Sequence, residues 1–255
     1  MGPASTPNAT TGACSGALSI WLIPVLRDNY VIVLQRDGRA VVVDPAVSEP
    51  VVAALRQRQL TLEAILHTHH HSDHIGGTAG LLQEWPAAAV IAAAADRERI
   101  PLQTRGVADG EQLELLGQLL QVLAVPGHTR AHIAFWLSES GDLFCGDALF
   151  AAGCGRMFEG TPEQMHSSLQ RLAALPEATR VWCAHEYTEG NLRWACHEAP
   201  DDAAIAERLQ QVQQLRAVGH ATLPSTIGLE RRTNLFLQAR SAQELARLRR
   251  SKDSW

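Results

Sequence analysis

The chain has 255 residues, of which 46% are hydrophobic, so it can bury the core of one large domain or two smaller ones. A formal net charge of -5 and an isoelectric point near 6.1 argue against a nucleic-acid-binding protein. The sequence lacks an apolar run of the roughly 18 residues that a transmembrane helix needs. Its five cysteines form no C-x-x-C pair, which is typical of free thiols in a reducing compartment. We therefore expect a cytoplasmic monomer that binds neither membranes nor nucleic acid.

The first half of the chain predicts strands that lead towards a cluster of histidines. Residues 1–16 are rich in Ala, Thr, Pro and Gly and predict a disordered tail. Apolar and β-branched runs then predict strands over 19–26, 30–35, 40–43 and 64–66. Between them, the spacing of Val51, Val52 and Leu55 predicts a helix over 49–60. Ser72 or Asp73 would cap a further helix from residue 75 to about residue 85, which Gly76 and Gly77 would allow to pack closely.

The second half of the chain changes character after Tyr187. Before that point, we predict paired strands over 111–116 and 118–125, a second pair over 131–137 and 143–145, a helix over 162–175 and a strand over 180–183. After it, helices are predicted over 191–218 and 241–252, with a loop over 223–226. The sequence thus predicts a mixed α/β domain over 17–187 and a helical domain over 188–255.

The stretch after the strand at 64–66 carries the strongest chemical signal in the chain. It reads T-H-H-H-S-D-H and supplies His69, His71, Asp73 and His74 within six positions. Buried without partners, these groups would cost several kcal/mol each. Imidazole nitrogen and carboxylate oxygen are instead the usual ligands of zinc, iron and manganese. In extended chain His69 and His71 point the same way and His70 points elsewhere, so the pattern predicts a metal site.

Three later motifs add further metal-ligand types, each at the end of a predicted strand. They supply His128 after Pro126-Gly127, Asp147 after Cys145-Gly146, and His185 before Glu186. Together with the cluster, they offer enough ligands for two metal ions. Asp44 also lies at a strand end. It either forms an ordinary Asp-Pro turn or accepts a hydrogen bond from a histidine ligand and thereby orients it. A lone histidine is usually structural or exposed, so we predict no functional role for His67, His132, His166, His197 and His220.

The four motifs, in this order, resemble the metallo-β-lactamase superfamily. A narrower resemblance is to the glyoxalase II family of hydroxyacylglutathione hydrolases, and it extends from about residue 17 to residue 255. It is carried by four segments: 26–30 (L-x-D-N-Y), 144–156 (F-x-G-D-x-L-F-x-x-G-C-G-[KR]), 185–192 (H-E-Y-T-x-x-N-L) and 249–253 (R-x-x-K-D). The resemblance implies an αββα sandwich followed by a small C-terminal helical domain.

The resemblance also implies the ligand sets and the reaction. One metal ion would be held by His69, His71 and His128, and a second by Asp73, His74 and His185, with Asp147 between them. Two divalent ions are expected, in the first place zinc, with iron or manganese as alternatives. Asp73 and Asp147 are the expected catalytic residues, because they would help hold the metal-bound hydroxide that attacks the substrate.

The family substrate is S-D-lactoylglutathione, which is cleaved to D-lactate and glutathione. The residues that match the family's glutathione site are Arg156, Tyr187, Arg249 and Lys252. Phe158 stands where the family commonly has tyrosine, so one hydroxyl contact to the substrate would be missing. For Arg249 and Lys252 the resemblance alone favours a binding role, because a basic last helical turn also complements the helix dipole.

The alternatives to thioester hydrolysis are other reactions on the same scaffold, namely those of a persulfide dioxygenase with one iron or of a lactonase. A β-lactamase has no place for the helical C-terminal domain. A nuclease of the superfamily would need a basic face, whereas this chain is acidic. A binding module descended from an enzyme usually lacks metal ligands, and here all seven are present.

Overall fold

The computed structural model of the protein describes residues 16–255. In this part of the chain two six-stranded sheets form the framework. The first sheet follows chain order: β1 (Ser19–Val25), β2 (Asn29–Arg36), β3 (Arg39–Val43), β4 (Thr61–Leu66), β5 (Ala89–Ala93) and β6 (Arg105–Val107). The second has the spatial order β14 (Ser225–Thr226), β13 (Arg180–Cys183), β10 (Asp142–Gly146), β9 (Ile133–Leu137), β8 (Gln118–Ala124) and β7 (Gln112–Leu115). A small hairpin joins β11 (Leu149–Phe150) and β12 (Gly153–Cys154).

Helices cover the outer faces of both sheets. They are α1 (Glu49–Gln57), α2 (Ser72–Ile75), α3 (Thr78–Glu84), α4 (Pro162–Ala173), α5 (Thr188–Glu198), α6 (Ala203–Ala217), α7 (Ile227–Thr233), α8 (Leu235–Gln238) and α9 (Ala242–Ser254). A 3-10 helix spans Ala94–Asp96. Within residues 16–255, none of these helices combines the length and apolar character needed to cross a bilayer.

The sandwich follows from strands that bury both of their faces. In β2, Ile32 and Leu34 face the second sheet, whereas Val31 and Val33 pack under α1 and α3. Alternate residues of a strand point to opposite faces, so each central strand is apolar throughout. The second sheet repeats this pattern, with Phe135 between the sheets. The layers are therefore helix, sheet, sheet and helix, which confirms the predicted αββα fold.

The C-terminal helices share one hydrophobic cluster with the second sheet. Trp194 of α5 stacks on Phe236 of α8, with ring centroids 5.0 Å apart, and both are fully buried. The same cluster contains Met165 and Leu169 of α4, and Leu245 of α9. Burial of large aromatic side chains contributes about 2–3 kcal/mol each. The helices after Tyr187 are thus packed firmly against the sandwich.

The predicted helix from residue 75 to about residue 85 is wrong in its boundaries. The structure has α2 and α3, separated at Gly76 and Gly77. Ser72 and Asp73 lie inside α2, and neither caps it, because the N-cap residue is His71. A Cβ on Gly77 would lie 2.6 Å from the carbonyl carbon of Val47, so this turn requires glycine where it crosses the loop after β3.

Five strands, β5, β6, β11, β12 and β14, are not predicted by the sequence, and β14 lies in the predicted loop over 223–226. β5 is largely alanine, and alanine has a low strand propensity. Its burial between β4 and β6 decides its conformation instead. The predicted helix over 191–218 is wrong in its continuity, because the structure divides it at residues 199–202 into α5 and α6. The other predicted strands and helices are present, with boundaries that differ by a few residues. The four described cysteines are free, as predicted, and Cys14 and the rest of the predicted tail except Gly16 lie outside the described residues.

Candidate metal centre

The predicted metal ligands meet at one edge of the sandwich. The loop after β4 carries His69 and His71, the short helix α2 that follows carries Asp73 and His74, and the loops after β8, β10 and β13 carry His128, Asp147 and His185. Strands β3, β4 and β5 are parallel, as are β10 and β13, so their carboxyl ends lie at the same edge. Loops held by a rigid sheet at such an edge form the usual site of chemistry in α/β folds.

The first group of ligand atoms is a triangle of imidazole nitrogens. Nδ1 of His71 lies 3.0 Å from Nε2 of His69 and 3.0 Å from Nε2 of His128. Burial is the main cause that lowers the pKa of all three rings, that of His71 to about 4, so their lone pairs are free at neutral pH. Tetrahedral ligands at about 2.1 Å from zinc lie about 3.4 Å apart, so the triangle matches the size of a metal ion.

The second group contains Asp73, His74 and His185. Oδ2 of Asp73 is 3.6 Å from Nε2 of His74 and 3.6 Å from Nε2 of His185. Asp73, His74 and His185 are thus close enough for one ion to contact all three residues. The Asp73 carboxylate is fixed by Asn29, whose Nδ2 donates to Oδ2 at 3.0 Å.

Asp147 lies between the two groups with one oxygen towards each. Oδ2 is 3.5 Å from Nε2 of His128, while Oδ1 is 3.4 Å from Nε2 of His74 and from Nε2 of His185. Gly146 precedes it with φ 48°, and a Cβ there would lie 2.2 Å from Oγ1 of Thr68. The glycine therefore lets the end of β10 approach the histidine loop closely enough for one carboxylate to reach both groups.

The donor set fits divalent cations. Nε2 of His74 and Oδ1 of Asp147 are buried and have no hydrogen-bond partner among the described residues. Burial opposes a charge on His74, but Asp147 and Asp44 raise its pKa to about 9. Burial likewise opposes ionisation of Asp147, yet the surrounding histidines hold its pKa well below the usual range. Buried polar groups without partners, in a field that attracts positive charge, indicate a place for metal ions.

Four of the ligand histidines are fixed by a contact at Nδ1, which leaves Nε2 facing the centre. The far nitrogen, Nδ1, contacts the following partners: Oγ1 of Thr68 for His69 at 3.0 Å, Asp44 for His74 at 3.1 Å, the carbonyl of Arg156 for His128 at 2.8 Å, and Asp28 for His185 at 2.9 Å. Such partners fix the tautomer and the ring orientation of a ligand histidine.

Asp44 confirms the hypothesis of an acceptor behind a histidine. Its carboxylate accepts hydrogen bonds from the Thr68 amide at 2.8 Å and the Thr68 hydroxyl at 2.7 Å, besides His74. Its φ of 50° places it in the left-handed region, which aspartate tolerates better than most residues. Because its oxygens are occupied, we assign it to the support of the ligands rather than to a metal ion.

Several supporting residues were not predicted from the sequence. Asp28 and Asn29 lie in the L-x-D-N-Y segment, which is a signal for a role, but the contacts of their side chains are not evident from it. His132, which was given no role, stacks on His69 with ring centroids 4.7 Å apart and accepts from the Asp147 amide at 3.2 Å. Burial lowers its pKa to about 3, so it stays neutral and can accept.

A cavity of about 570 Å³ leads from the centre to the C-terminal helix. His128 and Asp147 line its inner end. The five residues predicted to bind substrate all line it: Arg156, Phe158, Tyr187, Arg249 and Lys252. Tyr187 stacks on His185, with ring centroids 4.7 Å apart, and Phe158 lies 5.3 Å from the ring of His128. Trp255, which was not predicted, also lines the cavity.

The basic residues of the cavity differ in how freely they can bind a ligand. Arg249 is buried and donates to the carbonyl of Cys154 and to Asp253. Lys252 forms no ion pair with any residue in 16–255, and its ammonium lies 5.2 Å from the ring centroid of Trp194. Burial is the largest cause that lowers its pKa, to about 8. Arg156 and Arg249 both pair with Asp253, so among the described basic residues that line the cavity Lys252 is the one without an ion pair.

Comparisons with known proteins agree with this geometry. The family described as the Metallo-beta-lactamase superfamily matches residues 24–185, and the Hydroxyacylglutathione hydrolase C-terminus matches residues 186–255. A hydroxyacylglutathione hydrolase of Parasynechococcus marenigrum (strain WH8102) is 59% identical over 93% of this chain and 98% of the relative.

Two solved structures share the fold and more than a quarter of the aligned residues. The crystal structure of ETHE1 from Myxococcus xanthus has a TM-score of 0.69 and 26% identity, and the match covers 91% of this chain and 90% of the other. A structure of TTHA1623 in a di-iron-bound form has a TM-score of 0.60 and 26% identity, covering 86% and 99%.

Proposed function

We propose that this chain, which belongs to the hydroxyacylglutathione hydrolase family of the metallo-beta-lactamase superfamily, cleaves S-D-lactoylglutathione to D-lactate and glutathione with two divalent metal ions. Family membership makes it an enzyme that hydrolyses thioester bonds. The observation that carries the two-metal part is the position of Asp147, which directs one oxygen to each group of ligands. We propose zinc as the metal, with iron or manganese as alternatives, since His and Asp ligands accept all three.

The ligand residues would hold the metals, and the cavity would orient the substrate. Bound metal ions supply a hydroxide nucleophile near neutral pH and Lewis acidity towards a carbonyl oxygen. Asp147 would contribute a ligand oxygen to each ion and Asp73 to the second one, while Asn29 keeps Asp73 in place. In this proposal the thioester would lie near His128, at the inner end of the cavity, and the glutathione carboxylates near Lys252. A thiol leaves readily, because its ordinary pKa is about 8.5, so the site needs no strong general acid.

The first experiment combines metal analysis with a substrate comparison. We expect two metal ions per chain and hydrolysis of lactoylglutathione in preference to a simple lactone or a β-lactam. Alanine at Asp73 or His185 should remove the activity. Unchanged turnover in these variants would exclude the two-metal reaction, and oxygen uptake with one iron per chain would favour the persulfide dioxygenase. Equal rates on a thioester that lacks glutathione would exclude the proposed substrate.

Replacing Lys252 with methionine is expected to raise KM for lactoylglutathione by about 10- to 100-fold, with a smaller change in kcat. The change keeps an unbranched side chain of similar length and removes the charge that would meet a carboxylate of the substrate. A hydrogen bond to a charged group contributes about 1.5–3 kcal/mol, which corresponds to that range. Steady-state kinetics would measure both constants. Arg250→Met, on the exposed side of the same helix, is the matched control and should leave KM unchanged.

The pH dependence of KM provides a second readout of the same prediction. Lys252 has a lowered pKa of about 8, so its ammonium is present below pH 8 and is lost as the pH rises above it. KM of the unaltered enzyme should therefore rise above pH 8, and KM of Lys252→Met should not follow this rise. A parallel rise in both proteins would contradict the proposed contact.

The remaining expectations are also proposals. We propose that residues 17–187 form the metal-binding domain and residues 188–255 the helical substrate-binding domain. We further propose a cytoplasmic monomer without nucleic-acid or membrane partners. Size-exclusion chromatography with light scattering would test the monomer against a mass of 27.7 kDa.

A further inference from the structure

His70, the middle histidine of the cluster, belongs to neither group of metal ligands. Its Nδ1 lies 3.3 Å from Oδ2 of Asp96, and its Nε2 lies 3.3 Å from Nη1 of Arg99 and 3.6 Å from Oε1 of Glu159. As predicted from strand geometry, it points away from the centre. It reaches instead a group of charged residues to which the proposed reaction assigns no role.

Asp96 and Arg99 form the base of this group. Asp96 ends the 3-10 helix after β5 and is 1% exposed. Its Oδ1 accepts from Nε of Arg99 at 2.8 Å and from a second guanidinium nitrogen, so two donors converge on one oxygen of a buried carboxylate. Charge-assisted hydrogen bonds of this kind are stronger than most ion pairs on a protein surface. The pair therefore offers a fixed anchor beside the histidine loop.

Glu159 connects this anchor to the loop that carries His128. One carboxylate oxygen accepts from Arg99, and the other accepts from the Arg130 amide at 2.9 Å. On either side of Glu159 the backbones are joined, because the Phe158 amide donates to the carbonyl of His128 at 3.2 Å and the Gly160 amide donates to Gly127 at 3.1 Å. The segment 158–160 thus follows the segment 127–130, and Glu159 ties both to Arg99.

We propose that Asp96, Arg99 and Glu159, acting through His70, are positioning residues that hold the His69–His71 loop and the His128 loop at the spacing of the first metal ion. The first ligand triangle draws two members from one loop and one from another, so its affinity depends on how firmly the two loops are joined. The inference rests on the metal-binding part of the proposed function and not on the substrate.

The test measures zinc affinity of the first site alone, by chelator competition. In a His185→Ala background, which weakens the second site, the variants Glu159→Gln and Arg99→Gln are compared with the parent. We expect the dissociation constant to rise about tenfold or more, as for other residues that orient metal ligands. The matched control is Glu63→Gln, which removes a similarly exposed pair with Arg39 and should change affinity less than twofold.

A second background separates positioning from general destabilisation. In a His128→Ala background, which weakens the first site, Glu159→Gln should leave zinc affinity of the second site unchanged. Equal weakening in both backgrounds, or unchanged affinity of the first site, would overturn the proposal. If Arg99→Gln fails to fold because Asp96 is left buried without its cation, Glu159→Gln decides the question. A parent that binds no zinc at either site would overturn the metal centre itself.

Discussion

Replacing Asp147 with asparagine is expected to lower kcat for thioester hydrolysis by at least about 10³-fold. The change keeps the size of the side chain and removes the charge that both ligand groups share. Loss of one preorganised polar group at a reaction centre typically costs about 10²–10³ in rate, and in the proposed two-metal site this residue would support both ions. The metal content should fall below two per chain, as measured by atomic emission on purified protein.

Asp142 provides the control for this change. It is a fully buried aspartate at the other end of β10, where it accepts hydrogen bonds from Arg180 and Trp182 and lies away from the centre. Asp142→Asn should lower stability and leave the metal content at two. Asp147→Asn with two bound ions and normal turnover would show that this carboxylate does not join the sites.

Replacing Glu230 with alanine is expected to lower the free energy of unfolding by about 3–5 kcal/mol. Glu230 is 0% exposed and pairs with Arg208, which is also buried. Its second oxygen accepts from the Ala152 amide at 2.7 Å and from Asn234 at 2.9 Å. Removal of one partner leaves an uncompensated buried cation and an unpaired amide. Urea unfolding of the metal-free protein, monitored by tryptophan fluorescence, would measure the loss.

Two further variants test the cause of this loss. Glu177→Ala removes the exposed partner of Arg231 in the same region and should cost less than about 1 kcal/mol. Replacing Arg208 with methionine and Glu230 with leucine together should be less harmful than Glu230→Ala alone, because no buried charge is then left unpaired. A loss in the double variant as large as in Glu230→Ala would contradict this explanation.

The sequence predicts the framework and the candidate ligands, because both depend on local patterns. An apolar strand that is buried on two faces, or a metal-ligand residue at the end of a strand, is recognised from a few consecutive residues. The hydrogen-bond partners that orient the ligand histidines are distant in sequence, so no local pattern reveals them. Asp28 contacts His185 across 157 positions, and His132 reaches Asp147 only because β9 and β10 are neighbours in the sheet. Tertiary contacts also determine the extended conformation of the alanine-rich β5 and the break at Gly76 between α2 and α3.

The surroundings of the predicted substrate-binding residues depend on contacts that the sequence does not reveal. Arg249 contacts the carbonyl of Cys154 and the carboxylate of Asp253, while its buried Nε has no hydrogen-bond partner among the described residues. The contact with Cys154 comes from β12, which residue spacing does not place beside α9. The position of Trp255 in the cavity wall likewise depends on how α9 packs against α4 and α8.

Each group of ligands takes its members from both sheets. His69, His71, Asp73 and His74 follow the first sheet, whereas His128, Asp147 and His185 follow the second. A bound ion would therefore act as a cross-link between the two halves of the sandwich, because neither half alone supplies a complete group of ligands. For ions that bind only the folded state, each tenfold rise in free metal above the dissociation constant would add about 1.4 kcal/mol per site to the free energy of unfolding. The supply of metal in its surroundings would then govern the lifetime of the molecule as well as its catalysis.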